Sequence, residues 1–138
     1  MIIIERKFHF HAAHRNADLG GDCRFLHGHT YHLEIQFAAP PKDESSGVTI
    51  EFKDIAKRAG NIISAFDHST IVYAEDMELI NAMKCFAEEN RKLKILRKPT
   101  SAENVAQTIF EELKTIGLQP IQVVLQETTS SKVIYAEF

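Results

Sequence analysis

The sequence lacks most of what marks the specialised protein classes. Its 138 residues hold only two cysteines, Cys23 and Cys85. That is too few for a disulfide framework in a domain of this size, so both are expected as thiols in a reducing compartment. No apolar run approaches the roughly 20 residues of a membrane span, and Met1–Ile4 gives way at once to Glu5-Arg6-Lys7 rather than to a signal-peptide core. A cytoplasmic protein without a membrane partner is expected. With a net charge of −3 and no basic block or arginine stripe to follow a phosphate backbone, nucleic acid is not an expected partner. Repeats, low-complexity tracts and linkers are missing too, so residues 1–138 read as one domain. Also missing are the paired cysteines of structural zinc modules, the H-E-x-x-H helix and the H-x-E with P-C-x-x-C deaminase signature.

What remains is an ordinary globular composition, 44% hydrophobic and 25% charged. A domain of this length buries roughly two-thirds of its unfolded surface. Histidine is the exception: six of the seven lie between His9 and His32, spaced irregularly among strand-forming residues rather than in a contiguous run. Because strand side chains alternate, His27, His29, Tyr31, Leu33, Ile35 and Phe37 share one face, and Phe8, Phe10, Ala12 and His14 share another. An antiparallel pairing of the two strands would bring His14, His27 and His29 together at the end of an apolar stripe. Three imidazoles with an open position are a common catalytic zinc set, and Gly28 would allow close backbone access between two of them.

Strands are expected over residues 2–14, 26–38 and 121–128, with a returning strand through Val133, Ile134, Tyr135 and Phe138 and short extended pieces at 48–52 and 93–96. Helical spacing marks Ile55, Ala56, Ala59, Ile62, Ile63 and Phe66, and again a helix over about 76–89 that would bury Cys85. A third helix opens at Pro99-Thr100-Ser101-Ala102-Glu103, where Thr100 and Glu103 suit a capping box. Hairpin strands flanking grouped helices argue for an α+β fold, with helices on one face of an antiparallel sheet.

Four further positions carry chemistry. Cys23, four residues before His27, reads as a thiolate base or nucleophile beside the ion, as a fourth metal ligand, or as an inert loop thiol. Asp67-His68 follows a helix, and is either a solvated helix end or an oriented acid–base pair. Glu127 ends an apolar strand, where a buried carboxylate needs a partner, such as a ligand with two parallel N–H groups.

Phe10-His11-Ala12-Ala13-His14, Cys23-Arg24-Phe25-Leu26-His27-Gly28-His29, Asp67-His68, Thr100 through Ala106 and Glu127-Thr128 together resemble the 6-pyruvoyltetrahydropterin and 6-carboxytetrahydropterin synthase family over nearly the whole chain. The short gap between Cys23 and His27 resembles the bacterial 6-carboxy branch of queuosine biosynthesis. The resemblance implies a tunnelling fold of ββααββ subunits, each with a four-stranded antiparallel sheet, assembled as a homohexamer of two trimers with active sites at subunit contacts. It implies zinc on His14, His27 and His29. Catalytic roles are implied for Cys23, Asp67, His68 and Glu127, with Glu127 also anchoring the pterin ring and Thr100 and Ser101 helping to hold it. The implied reaction is the lyase conversion of 7,8-dihydroneopterin triphosphate to 6-carboxy-5,6,7,8-tetrahydropterin, acetaldehyde and triphosphate. The alternatives are the sister pyruvoyl activity or a related paralogue that cleaves a pterin side chain, and, from another class, a catalytically inactive zinc-stabilised oligomeric binding protein. Arg15, Arg24 and Lys7 are candidates for the triphosphate. The chain departs from the family pattern at Glu51-Phe52, at Ser69-Thr70-Ile71-Val72 and in a helix opening one residue longer at Pro99–Asn104.

Overall fold

The computed structural model describes residues 1–138. Two long strands, β1 (Ile3–His14) and β2 (His27–Ala38), form its centre as an antiparallel pair. Their register places Phe10 opposite Tyr31, Ala12 opposite His29 and His14 opposite His27. The side-chain alternation is the expected one: Phe10, Ala12, Tyr31, Leu33, Ile35 and Phe37 are buried, and Arg6 alone breaks the inward apolar run of β1. Phe10 stacks on Tyr31 with ring centroids 4.6 Å apart and tilts against Phe66 at 5.5 Å. Full burial of each such ring stabilises the fold by about 1.5–3 kcal/mol.

Four shorter strands extend the pair: β3 (Ser69–Tyr73), β4 (Leu93–Leu96), β5 (Pro120–Gln126) and β6 (Val133–Ala136). The sheet therefore has six strands, in the order β4-β3-β1-β2-β5-β6. This corrects the four-stranded antiparallel expectation, because β3 runs parallel to β1, and β4 runs parallel to β3. The expected hairpin order survives in β1-β2 and β5-β6. Residues 48–52 do not form a strand; Phe52 instead begins α1 (Phe52–Ser64).

Helices α1 and α3 (Ala102–Thr115) cover one face of the sheet. They contribute Ile55, Ala59 and Ile63, and Val105, Ala106, Ile109, Phe110 and Leu113, to the shared core. The expected second helix shortens to α2 (Met77–Met83), whose buried residue Leu79 lies outside that core. Phe86 is 56% exposed and Cys85 is exposed beyond the helix end, so Cys85 is not the core residue its spacing suggested. The cap of α3 also shifts by one. Ser101, not Thr100, accepts the Asn104 N–H at 3.3 Å. The helix ends at Gly117, whose φ of 84° a side chain would strain.

Candidate metal centre and its surroundings

The register of β1 and β2 delivers three imidazoles to the core face at one end of the sheet. Ring centroids are 4.7 Å apart for His14–His27, 4.7 Å for His27–His29 and 5.3 Å for His14–His29. One ligand atom from each lies within 4.8 Å of the others. Gly28 is not required for this approach, since a Cβ there would stand 3.6 Å from the Ala12 carbonyl oxygen, an ordinary contact.

The ring nitrogens are already sorted for metal binding. His14 Nδ1 lies 2.8 Å from the Thr100 carbonyl oxygen and 3.2 Å from its Oγ1. A carbonyl only accepts, so Nδ1 carries the proton and Nε2 keeps its lone pair. That Nε2 is buried and has no hydrogen-bond partner. His27 repeats the device, with Nδ1 donating to the Phe25 carbonyl at 2.7 Å. Outer partners of this kind fix the tautomer of ligating histidines. Burial, ahead of the opposing Thr100 hydrogen bond and the neighbouring His27 and His29, lowers the His14 pKa to about 4. Burial first, and His27 second, lowers that of His29. Both rings are thus held in the neutral form a metal takes. The orphaned Nε2 and the sorted donors fit an ion held by His14, His27 and His29.

Glu127 reaches the same place from the end of β5. It continues the inward parity of Val123 and Leu125. Its Oε1 stands 3.8 Å from His14 Nε2 and its Oε2 3.9 Å from His29 Nε2, and Oε1 is buried without a partner. Burial raises its pKa, against the lowering effect of His27. Tyr31 lies beneath, edge-on to His29 at 5.4 Å. Its hydroxyl is also buried without a partner in bonding geometry, and burial first, then the Glu127 charge, pushes its pKa well above the usual phenol range. Sequence reasoning passed over Tyr31 as a core aromatic, although its parity with His27 and His29 was the available signal.

The other candidates fall elsewhere. Cys23 sits exposed on a 3-10 turn at Gly21–Arg24 and does not join the three-histidine cluster. Its carbonyl accepts the Asn16 N–H at 2.8 Å, tying the turn to the end of β1. Thr100 is 1% exposed, and its hydroxyl donates to the Arg15 carbonyl at 3.0 Å, so its carbonyl holds His14 and its side chain holds Arg15 in place. Arg15 is drawn off from any triphosphate role by Asp76, which it contacts at 2.6 and 2.8 Å, and by Glu78 at 3.2 Å. Lys7 stands 3.7 Å from Glu34 and Arg24 lies over the Phe25 ring.

Asp67 and His68 form a pair, with His68 Nδ1 2.9 Å from Asp67 Oδ2. Asp67 Oδ1 accepts the His11 backbone N–H at 2.9 Å, and the His68 N–H donates to the His11 carbonyl at 2.6 Å. The His11 bond, followed by the His68 contact, lowers the Asp67 pKa against a partial burial effect. His68 is held at a φ of 58°, a conformation that a non-glycine residue adopts only where its surroundings impose it. This pair docks against the His11 ring at 5.7 Å. His11 has the parity opposite to His14, so the pair faces away from the three-histidine cluster of its own chain.

A family model described as 6-pyruvoyl tetrahydropterin synthase matches residues 3–137. The 6-carboxy-5,6,7,8-tetrahydropterin synthase of Rickettsia bellii is 36% identical over 116 residues, covering 82% of this chain and 80% of its own. The protein of the same name from Aquifex aeolicus is 30% identical over 160 residues, covering 97% of both. Among solved structures, an uncharacterized protein from Wolinella succinogenes superposes with a TM-score of 0.77 at 16% identity, covering 99% of this chain and 98% of the other. The 6-pyruvoyl tetrahydropterin synthase of Caenorhabditis elegans does so with 0.69 at 22% identity, covering 99% and 96%. The structural likeness establishes the tunnelling fold. Taken with the sequence match across almost every residue, it places this chain in the 6-pyruvoyl tetrahydropterin synthase family.

Proposed function

We propose that residues 1–138 act as one zinc-dependent 6-carboxy-5,6,7,8-tetrahydropterin synthase domain, converting 7,8-dihydroneopterin triphosphate to 6-carboxytetrahydropterin, acetaldehyde and triphosphate in the cytoplasm, on the route to queuosine. The observation that carries this reading is the meeting of three imidazoles, two of them sorted by backbone carbonyls, with a Glu127 carboxylate 3.8–3.9 Å from His14 and His29, in a chain whose relatives bear that name. Zinc bound by His14, His27 and His29 would supply Lewis acidity toward the side-chain hydroxyls of the substrate.

The remaining roles belong to the chain itself. Glu127, orphaned beside the cluster, accepts two parallel N–H groups from the pterin ring and positions the side chain over the histidines. Cys23, exposed on its turn, exchanges protons with the carbons next to the hydroxyls. His68, oriented by Asp67, carries protons as acid or base. Because Asp67-His68 faces away from its own cluster, the pair serves the cluster of a neighbouring copy, which requires a homo-oligomer such as a hexamer of two trimers.

No helix is long and apolar enough to cross a membrane, consistent with action on a dissolved substrate. Incubation with 7,8-dihydroneopterin triphosphate tests the proposal: acetaldehyde and triphosphate are expected in equal amounts. Release of triphosphate with a pyruvoyl product and no acetaldehyde would move the chain to the sister activity. Tight pterin binding without turnover would make it a binding protein. Cys23→Ala is expected to abolish turnover while zinc stays bound.

A further inference from the structure

The sheet face opposite α1 and α3 carries imidazoles that the proposed chemistry leaves unused. His9 and His11 on β1 and His32 on β2 are exposed there, and His9 stands directly opposite His32 in the strand register. Ring centroids are 5.8 Å apart for His9–His11 and 6.4 Å for His9–His32. The His14, His27 and His29 rings lie 4.7–5.3 Å apart in all three pairs, whereas the outer rings approach one another only through His9, so His9 and His32 form the near pair and His11 joins them by turning about its χ angles, a movement open to an exposed side chain. The His11 ring shares a hydrogen bond with Thr30 Oγ1 through Nδ1 at 3.0 Å, which leaves its Nε2 free.

Packing does not account for these residues. Solvated imidazoles on a sheet face bury little, and β-branched or aromatic side chains would suit the pleat better. Directly opposed strand positions do favour chelation, because the backbones hold both donors on rigid elements. The donor set is nitrogen only. Glu34, next along β2 on the same face, leans instead to Lys7 at 3.7 Å. Imidazole donors select borderline transition ions and pass over magnesium and calcium.

We propose that His9 and His32, with His11 as a third donor, form a second metal site for a divalent ion of the zinc, nickel or copper class. Water completes its coordination, and it binds more weakly than the enclosed cluster. The His11 ring lies 5.7 Å from that of His68, so the ion sits one imidazole away from the Asp67-His68 pair. This site stands on its own three residues and does not depend on the pterin reaction.

The test uses the full chain, stripped of metal by chelator and dialysed against Ni²⁺ at neutral pH. About two ions per chain are expected, taken up in a tight and a weak phase. His9→Ala/His32→Ala is expected to lose the weak phase and keep the tight one. A weak phase that persists in this variant, or a wild-type chain that takes up only the tight ion, overturns the proposal. His9→Gln/His32→Gln, which keeps size and polarity, gives the same readout should the alanine pair misfold. On an immobilised Ni²⁺ resin the untagged wild-type chain is expected to be retained and the glutamine variant to flow through. Equal retention of both overturns the proposal.

Discussion

His14 Nδ1 donates to the backbone carbonyl of Thr100, 86 positions along the chain, at 2.8 Å. One hydrogen bond thus ties the end of β1 to the residue just before the Ser101 cap of α3, and sets which nitrogen of His14 is free for a metal. The carbonyl does most of this work, while the Thr100 hydroxyl satisfies the Arg15 carbonyl at 3.0 Å. Thr100→Val keeps the carbonyl and removes the hydroxyl. Removing a buried hydroxyl partner costs about 1 kcal/mol, so urea unfolding is expected to show that loss. Metal content at saturating zinc is expected to stay at the wild-type value. A variant that folds normally but has lost its zinc would show that the hydroxyl, not the carbonyl, holds the ring.

Arg15 and Asp76 join the residue after His14 to the start of α2. Asp76 also caps that helix, its side chain accepting the Leu79 N–H at 3.2 Å. The Arg15 contact, with the Leu79 bond behind it, holds the Asp76 carboxyl below its ordinary pKa of 3.8. A depressed carboxylate pKa contributes stability that is fully present above the unfolded-state value and is lost as pH falls through the folded-state value. Asp76→Asn keeps a capping oxygen but not the charge. The wild-type advantage over this variant is therefore expected to hold at neutral pH and to shrink as the pH drops below about 4. Asp76→Ala loses the cap as well, at a further cost of about 1 kcal/mol. Denaturant midpoints measured from pH 7 downward check both statements.

Tyr31 stacks on Phe10 and turns its hydroxyl toward the unpartnered Glu127 carboxylate. Tyr31→Phe keeps the ring and removes only that hydroxyl. Fold and zinc content are expected to survive. The hydroxyl and the carboxylate are both without a bonded partner in the free chain; should they close on each other when the ring binds, affinity for a pterin is expected to fall about tenfold in the variant, the value of one hydrogen bond to a charged group. Titration with neopterin, followed by pterin fluorescence, reads this directly. Unchanged affinity would mean that Glu127 keeps its position without the tyrosine.

The β1-β2 pair was legible in the sequence because one face of each strand is buried, so the alternation of Phe10, Ala12 and His14 with His9 and His11 admits a single register of faces. The cluster of three histidines follows from that register. Strand β3 was passed over because it pairs in parallel with β1 and β4, partners remote in sequence, even though Thr70-Ile71-Val72-Tyr73 is a β-branched and aromatic run. Residues 48–52 show the reverse error: their strand-like composition finds no neighbouring strand to complete it. The helical period through Phe86 overran α2 for a related reason, since that ring meets no core surface and stays exposed. The facing of Asp67-His68 could not be read at all, because it depends on two backbone bonds to His11 across 56 residues or more.

That facing leads to the sharpest expectation. His14, His27 and His29 lie on the helix-covered side of the sheet, and Asp67-His68 docks on the other side against His11. A chain cannot fold its own His68 across the sheet to its own cluster without breaking the His11 bonds. Under the proposed function, a working site combines the cluster of one copy with the acid–base pair of another, as a repeated interface in a symmetric oligomer allows. His29→Ala and His68→Ala chains are each expected to be inactive alone. Co-expressed and purified as mixed oligomers, they are expected to recover about a quarter of wild-type turnover, because random pairing unites an intact cluster with an intact pair in roughly that share of interfaces. No recovery in confirmed mixed oligomers would place both halves of the site in one chain and would require the region around His68 to rearrange on assembly.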